Sequence, residues 1–554
     1  YTRVGSSAAS DVYKRQGIDY TGVTRIFLDD SSSGVTGTSA TFESGSLLDV
    51  DYHDSGSGGG TWTVMEVENG DIIDKGLAFA PGVDTGVWSF SIDNSGANGV
   101  LRVTAAGVPN GIMLNVGKTE RQMMRYGIDY ERLWYWTNSM SASEKDTVAK
   151  WSVVDCDVDY IRVAINSAYE LTEGDLDLSA YTSKIIPMMR DMQDANPDIR
   201  FFASPRPLNE AVSGAAWQPY PRWITGDPGN GNFDFDWLKC SEYLVRYINL
   251  MKSYGFRISY LDVTNEWQSN VAGGRVTPSD VRDISEYLKA NLDPADMPLI
   301  IAPSAWSYSQ SRSWMSGVNS SRKRDAIDIA AAHNTDKTGT AQEFADRVKE
   351  IFPNKEVEIW NTELHGWKST SGADEVLTSS FMFEAIRAGF TGINGWLAIG
   401  TTNQGHSYIL NPSGNPSRNV KYFIFKKLST TSHFGHALDV NQPSEFKSTA
   451  ALIRGNLMTV WVINESEDGS PITILPNSRT ISESTVKRTR WSEVDGLSVE
   501  GVTEHIPIST NTAVGSVIEG NSLYCFEILL DPVDQQYTRF EAENFDAESG
   551  VGTE

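Results

Sequence analysis

Two stretches of the chain carry residue types that could do chemistry: Ile258-Ser-Tyr-Leu-Asp-Val-Thr-Asn265-Glu266-Trp267 and Val357-Glu-Ile-Trp-Asn-Thr362-Glu363-Leu-His365-Gly-Trp367. Each reads as a short apolar, β-prone run that ends on a carboxylate with amide and aromatic neighbours. In a closed parallel barrel the C-terminal ends of all strands meet at one mouth, so two such runs can bring two carboxyl groups together. Environment can then hold them in opposite states, one protonated as general acid and later base, the other ionised as nucleophile. That combination suits displacement at an acetal carbon, where a departing oxygen needs a proton while a carboxylate attacks. The competing interpretation, two ordinary surface glutamates, follows from the preference of charge for water. It explains one such glutamate more easily than two, each at a strand end in a Trp-rich setting.

The elements that must position the pair can be read from the change of period along the chain. Residues 17–118 hold short alternating runs, Thr61-Trp-Thr-Val-Met-Glu-Val, Val87-Trp-Ser-Phe-Ser-Ile and Gly99-Val-Leu-Arg-Val-Thr, between Gly/Ser/Asp/Asn turns, which predicts an antiparallel β-sandwich. Within it Asp49-Val-Asp51-Tyr-His-Asp54 fits no calcium loop and reads as a solvated turn. From 119 to 430 strands alternate with amphipathic stretches. The strand candidates are Tyr126–Trp136, Tyr160–Ile165, Ile199–Ala203, Ile258–Thr264, Leu299–Ala302, Ala326–Ala332, Val357–Asn361 and Gly392–Ile399. Helical periods cover Ala180–Ala195, Trp237–Tyr254 and Ala341–Ile351, and Thr277-Pro-Ser-Asp280 opens another helix with a cap, an N1 proline and a first-turn acid. This pattern predicts an α/β fold, a (β/α)₈ TIM barrel, flanked by N-terminal and C-terminal antiparallel β-sandwich domains. The second sandwich spans 431–535, where Leu457-Met-Thr-Val-Trp-Val-Ile-Asn464 and Ser522-Leu-Tyr-Cys-Phe-Glu-Ile-Leu alternate again.

Bulk composition narrows the partners. With 72 Asp+Glu against 46 Lys+Arg the formal charge is −26, which argues against nucleic acid and anionic membrane as partners because phosphate binding needs clustered cations. No apolar run is long enough to span a bilayer. Cys156, Cys240 and Cys525 are too few and too scattered for a disulfide framework or a zinc site. No metal and no organic cofactor is expected, since two carboxyl groups suffice for the chemistry above.

Asn265-Glu266 and Glu363, each closing a strand run, resemble the signature of the large clan of retaining (β/α)₈ glycoside hydrolases. The resemblance implies Glu266 as acid/base, Glu363 as nucleophile and Asn265 as the amide that holds a sugar 2-hydroxyl. By the same resemblance Arg162 keeps the nucleophile ionised, His333 ends the sixth strand and Trp396 floors the central subsite. Aromatic and polar residues crowd the predicted rim as candidate sugar contacts: Trp134, Trp136, Arg206, Asn209, Trp267, Trp306, His365 and Trp367. Phe201-Phe-Ala-Ser-Pro-Arg-Pro-Leu-Asn-Glu210 and Arg418-Asn-Val-Lys-Tyr-Phe-Ile-Phe-Lys-Lys-Leu-Ser are similar to segments of glycoside hydrolase family 30, whose usual Asn-Glu-Pro is Asn265-Glu266-Trp267 here. Tyr126-Gly-Ile-Asp-Tyr-Glu-Arg-Leu-Trp-Tyr-Trp136, Arg206-Pro-Leu-Asn-Glu and Trp-Asn-Thr-Glu-Leu-His look more like family 86, the β-agarases and β-porphyranases of marine galactan.

The termini carry resemblances of their own. Residues 1–16, with Ser6-Ser-Ala-Ala-Ser-Asp-Val-Tyr-Lys-Arg-Gln16, resemble a translated sequencing adapter. Residues 536–554, with Arg539-Phe-Glu-Ala-Glu-Asn-Phe-Asp-Ala-Glu-Ser-Gly-Val, resemble the opening of a family 6 carbohydrate-binding module. The resulting expectation is a secreted, monomeric, retaining endo-hydrolase of β-1,4-galactosidic bonds in agar-type polysaccharide. Arg206 and Arg222, flanking the loop after the third strand, would hold an occasional sulfate. Two alternatives stay open: a family 30-like xylanase or β-glucanase, and a non-catalytic carbohydrate-binding protein.

Overall fold

A computed structural model of the chain describes residues 123–131, 140–206 and 220–532, apart from the short segments 180, 228–231, 267–275, 336, 366–378, 401–406, 411–413, 442–445, 447, 477–478, 493–499 and 509; before residue 123 it describes strands and a few adjoining residues between Ile18 and Val116. Residues 121–437, with 493–501, form one compact unit, and the remainder of the chain forms a second.

The first unit is built on a closed parallel barrel. Its strands are Arg125–Asp129, Tyr160–Asn166, Arg200–Arg206, Ile258–Asp262, Leu299–Ala305, Ile329–His333, Glu358–Leu364 and Gly392–Gly395, each paired with the next and the last with the first. Every predicted run supplies one of these strands, with the ends displaced by a few residues except in the first, which stops at Asp129, well before the Trp136 of its predicted run. The strands are buried almost throughout. A parallel strand covered on both faces shows little polar alternation, which is why these runs stand out as apolar. The helices follow the predicted periods: Trp237–Ser253 is capped by Asp236, and Pro278–Asn291 and Ala341–Ile351 each start on a reciprocal capping box, Thr277 with Asp280 and Thr340 with Glu343.

Aromatic residues from different strands fill the barrel interior below the mouth. Tyr160 and Trp360, on the second and seventh strands, stack at 4.8 Å and 9°, with Phe202 and Tyr260 against them. The stack fits only because two strand positions lack side chains. A Cβ on Gly127 would lie 2.0 Å from the Tyr160 ring, and one on Gly392 would lie 2.2 Å from the Trp360 ring. Gly392→Ala should therefore destabilise the fold by about 1–3 kcal/mol through overpacking. A urea midpoint equal to that of the parent protein would show that the stack has slack to absorb a methyl group.

In the second unit, Ala450–Arg454, Leu457–Asn464, Ser522–Leu529, Thr485–Ser492 and Val502–Pro507 form antiparallel pairs in that order. A second sheet contains Ile112–Val116, Ser470–Pro476 and Val514–Ile518. Leu114, Val460, Ile474, Val514 and Phe526 meet in the core between these strands, so the last described strand of the 17–118 region contributes to the C-terminal sandwich.

Within 17–118 the pairing departs from the antiparallel expectation. Thr61–Val67, Gly99–Ala105 and Trp88–Asp93 are antiparallel neighbours. Ile18–Tyr20, Ala40–Phe42 and Ile72–Asp74 pair in parallel, as do Val23–Leu28, Leu47–Tyr52 and Ala78–Phe79, and Val35–Gly37 with Thr61–Val67. A period of two marks a strand with unlike faces and does not encode its partner's direction. The same alternation makes Leu47–Tyr52, read in part as a solvated turn, a strand.

Candidate active site

The fourth strand ends at Asp262, two residues earlier than its apolar run suggests, and the chain then turns sharply. The buried Asp262 carboxylate organises this turn: its Oδ1 accepts from the Thr264 amide at 2.9 Å, the Thr264 hydroxyl at 3.0 Å and the Asn265 amide at 3.1 Å. Asn265 and Glu266 both take left-handed backbone conformations, with φ of 35° and 63°. Such values are uncommon outside glycine and concentrate where surrounding structure over-determines them. Here the Glu266 amide donates to Ser304 O at 2.9 Å, pinning the turn to the neighbouring strand.

The seventh strand reaches the same place by a different device. Trp360 faces the interior stack and Glu363 faces the mouth, three positions apart, a spacing that strict alternation cannot give. Pairing irregularities resolve this, one between Asn361 and Leu364 against the eighth strand and one at His333 against the sixth. A bulge of this kind re-aims a side chain without breaking the sheet.

These two devices bring Glu266 and Glu363 together. One carboxylate oxygen of each, with one ring nitrogen of His333, lie within 4.8 Å of one another. His333 Nδ1 is 2.8 Å from Glu266 Oε1 and 3.7 Å from Glu363 Oε2. Arg162 donates to Glu363 Oε1, and His365 Nε2 lies 3.1 Å from Glu363 Oε2. All five side chains are buried.

The environment separates the two carboxyl groups. Burial raises the Glu266 carboxyl above its ordinary range and the negative Glu363 adds to this, while His333 opposes it. Burial alone would raise Glu363 as well, but the His333 and Arg162 charges and the His365 hydrogen bond outweigh it and hold Glu363 well below the usual carboxylate range. Burial disfavours a charged His333, yet Glu363 and Glu266 overcome that and raise its pKa. At neutral pH one glutamate is therefore ionised and its neighbour retains affinity for a proton. This is the division of labour a retaining displacement requires.

Arg162 is the centre of the charge network. Its guanidinium also donates to Asp129 Oδ2 at 2.8 Å, to Ser204 Oγ at 2.8 Å and to Asn265 Oδ1 at 2.7 Å. Asn265 Nδ2 in turn donates to Pro205 O at 2.6 Å, so the turn amide is locked from both ends. Arg206 is only 4% exposed and its guanidinium is paired with Glu131, which also accepts from the Trp396 indole at 3.3 Å. Arg206 is thus a counter-charge to a buried acid. Arg222 is exposed on the short helix Arg222–Thr225.

Asp129, Glu131 and Asp262 belong to the site but were not singled out in the sequence. Burial, offset by Arg162 and reinforced by Glu363, brings the Asp129 carboxyl up to about 6. The signal for the first two was two acids embedded in the apolar run Tyr126–Trp136, which strand assignment alone absorbed. Oxygens of Asp129, Glu131 and Glu363 also cluster within 4.8 Å, but Arg162 already stands among them as the cation.

Of the remaining expected contacts, Trp396 is buried with one ring face against His365, at 4.3 Å and 28°. Trp306 is half-buried just beyond the fifth strand. Trp134, Trp136, Asn209, Trp267 and Trp367 lie outside the described residues.

No protein-family model matches the chain, and the comparison with curated proteins found no match. Solved structures do match it. A glycoside hydrolase family 30 subfamily 8 xylanase from Clostridium acetobutylicum matches with a TM-score of 0.58 at 15% identity, over 76% of this chain and 100% of that one. The catalytic domain of a family 30 xylanase from Talaromyces cellulolyticus matches at 0.57 and 12% identity, over 75% and 99% of the two chains. An endo-β-1,6-glucanase matches at 0.54 and 15% identity, over 75% and 94%. At these identities the likeness establishes a shared fold, and the reaction must be argued from the site.

Proposed function

We propose that this chain is a retaining glycoside hydrolase that cuts a polysaccharide internally, with agar-type galactan as substrate. The observation that carries the reading is the pair Glu266 and Glu363, with carboxylate oxygens within 4.8 Å of each other and environments that drive their protonation apart. Inverting enzymes keep their carboxyl groups roughly 6.5–9.5 Å apart to admit a water, whereas retaining enzymes hold them at about 5–5.5 Å. Glu363 attacks the anomeric carbon and forms a glycosyl ester as Glu266 protonates the leaving oxygen. Glu266 then takes a proton from water, which breaks the ester and regenerates both groups. Arg162, fixed by Asp129, Ser204 and Asn265, keeps the free nucleophile ionised before attack and again once the ester is broken.

The galactan assignment rests on the loop strings that resemble family 86 and on the acidic chain, which favours a neutral or lightly sulfated polymer over a densely sulfated one. Xylan or a β-glucan is the second reading, favoured by the fold shared with xylanases and an endo-glucanase. A secreted monomer with no required cofactor fits either. Product analysis on agarose, porphyran, xylan and laminarin separates them. Agarose should lose viscosity faster than reducing ends appear, with porphyran cut as well. Cleavage of xylan with neither galactan touched would overturn the substrate and leave the catalytic pair standing. No cleavage of any of the four by folded protein would favour a non-catalytic binding role.

A further inference from the structure

His365 stands two residues beyond the nucleophile and contacts two parts of the site at once. Its Nε2 is 3.1 Å from Glu363 Oε2, and its ring lies on Trp396 with centroids 4.3 Å apart. The far edge of Trp396 is held as well, its indole N–H donating to Glu131 Oε1 at 3.3 Å, and Glu131 is paired with Arg206. A chain of contacts thus runs from Arg206 through Glu131, Trp396 and His365 to the nucleophile. The two oxygens of Glu363 have separate partners, Arg162 on Oε1 and His365 on Oε2.

We propose that His365 is a positioning residue that locks the nucleophile Glu363 to the aromatic floor Trp396, so that the attacking carboxylate and the surface beneath the sugar keep one fixed relation. This rests on the retaining-hydrolase reading of the site. An ionised carboxylate only accepts hydrogen bonds, so His365 must carry its proton on Nε2. Burial, partly offset by Glu363, brings the imidazole down to about 3, which keeps the ring neutral and that tautomer in place at working pH. Among the described residues, the charged and titratable groups around Glu363 and His365 are Arg162 from the second strand, Asp129 at the end of the first and Glu131 just beyond it, His333 from the sixth, Glu266 from the turn after the fourth, and Lys337, which donates to His365 O at 2.5 Å. His365 differs from all of these in being a neutral donor that also touches the floor.

Two substitutions divide its contacts. His365→Phe keeps a flat ring for Trp396 and removes the donor; His365→Gln keeps an N–H at similar reach and removes the ring. With the panel polysaccharide that the parent enzyme cuts, His365→Phe should move the acid limb of kcat/KM to higher pH, because the ionised nucleophile loses a donor, and lower kcat about 10- to 100-fold. His365→Gln should leave the acid limb in place and raise KM about 2- to 10-fold as the floor loosens. Long-range ¹H–¹⁵N spectra of the parent protein should show His365 neutral and protonated on Nε2 at pH 7, a readout independent of turnover. The proposal is overturned by an Nδ1–H or charged ring, by identical pH profiles in the two variants, or by loss of the fold in both, which would make His365 a core residue. Absence of parent activity on every polysaccharide would instead strike the hydrolase reading, with the spectra still reporting on the hydrogen bond.

Discussion

Glu363→Gln should abolish turnover on every substrate, by a factor on the order of 10⁴–10⁶, whatever the leaving group. An amide cannot form the glycosyl ester, and among the described residues no other side chain is placed to attack in its stead. Asp129 and Glu131 have oxygens within 4.8 Å of Glu363 but are held by Arg162, and Glu131 by Arg206 as well. The substitution is nearly isosteric, so loss of activity should not come from loss of structure. Arg162 keeps Asp129 at 2.8 Å, so its charge is not left without a counter-ion in the buried site. Thermal unfolding near that of the parent, together with absent turnover on both polysaccharide and activated aryl glycoside, is the expected result. Retention of more than a few per cent of activity on the aryl glycoside would remove Glu363 from the nucleophile's role.

The parts of this site that were legible in the sequence are those whose physics is local. A parallel strand buried on both faces must be an apolar run, so all the barrel strands could be counted before their partners were known. A carboxylate where such a run stops is conspicuous, and both glutamates stood out for that reason. The sequence did not reveal how each glutamate is aimed. Trp360 and Glu363 both reach the barrel's inside only because the ladder slips at Asn361–Leu364, and Glu266 projects from a left-handed turn held by Asp262. Each device depends on hydrogen bonds with a neighbouring strand or with a side chain whose role appears only once the turn has formed. Arg206 shows a partner that the sequence does not announce. Alone it reads as a rim cation for a sulfate, and only the fold brings Glu131 to its guanidinium. The parallel pairs within residues 17–118 escaped for a related reason, since alternation of residue types is blind to strand direction.

Glu266→Ala should fail selectively. On polysaccharide the expected loss is about 10²–10⁴-fold, the usual worth of a placed proton donor. On a dinitrophenyl glycoside, whose phenolate departs without a proton, formation of the glycosyl-enzyme should be nearly normal and its hydrolysis slow, giving a burst and then a low steady rate. Azide should restore turnover and yield a glycosyl azide of retained configuration, because it attacks without a general base and the alanine leaves room for a small anion. The pH profile supplies a second test. Burial and the nearby Glu363 charge raise the Glu266 carboxyl, so activity that needs its proton is present at lower pH and fades as pH rises through that raised value. Glu266→Ala should therefore remove the Glu266 contribution to the basic limb of kcat/KM while leaving the acid limb, which reports Glu363. His333, 2.8 Å from Glu266 in the parent, remains beside Glu363 and could leave a weak residual limb of its own. A second substitution, His333→Phe on the Glu266→Ala background, should remove that remnant. If azide rescues the Glu363 variant instead, or if the product azide has inverted configuration, the two glutamates have been assigned to the wrong roles.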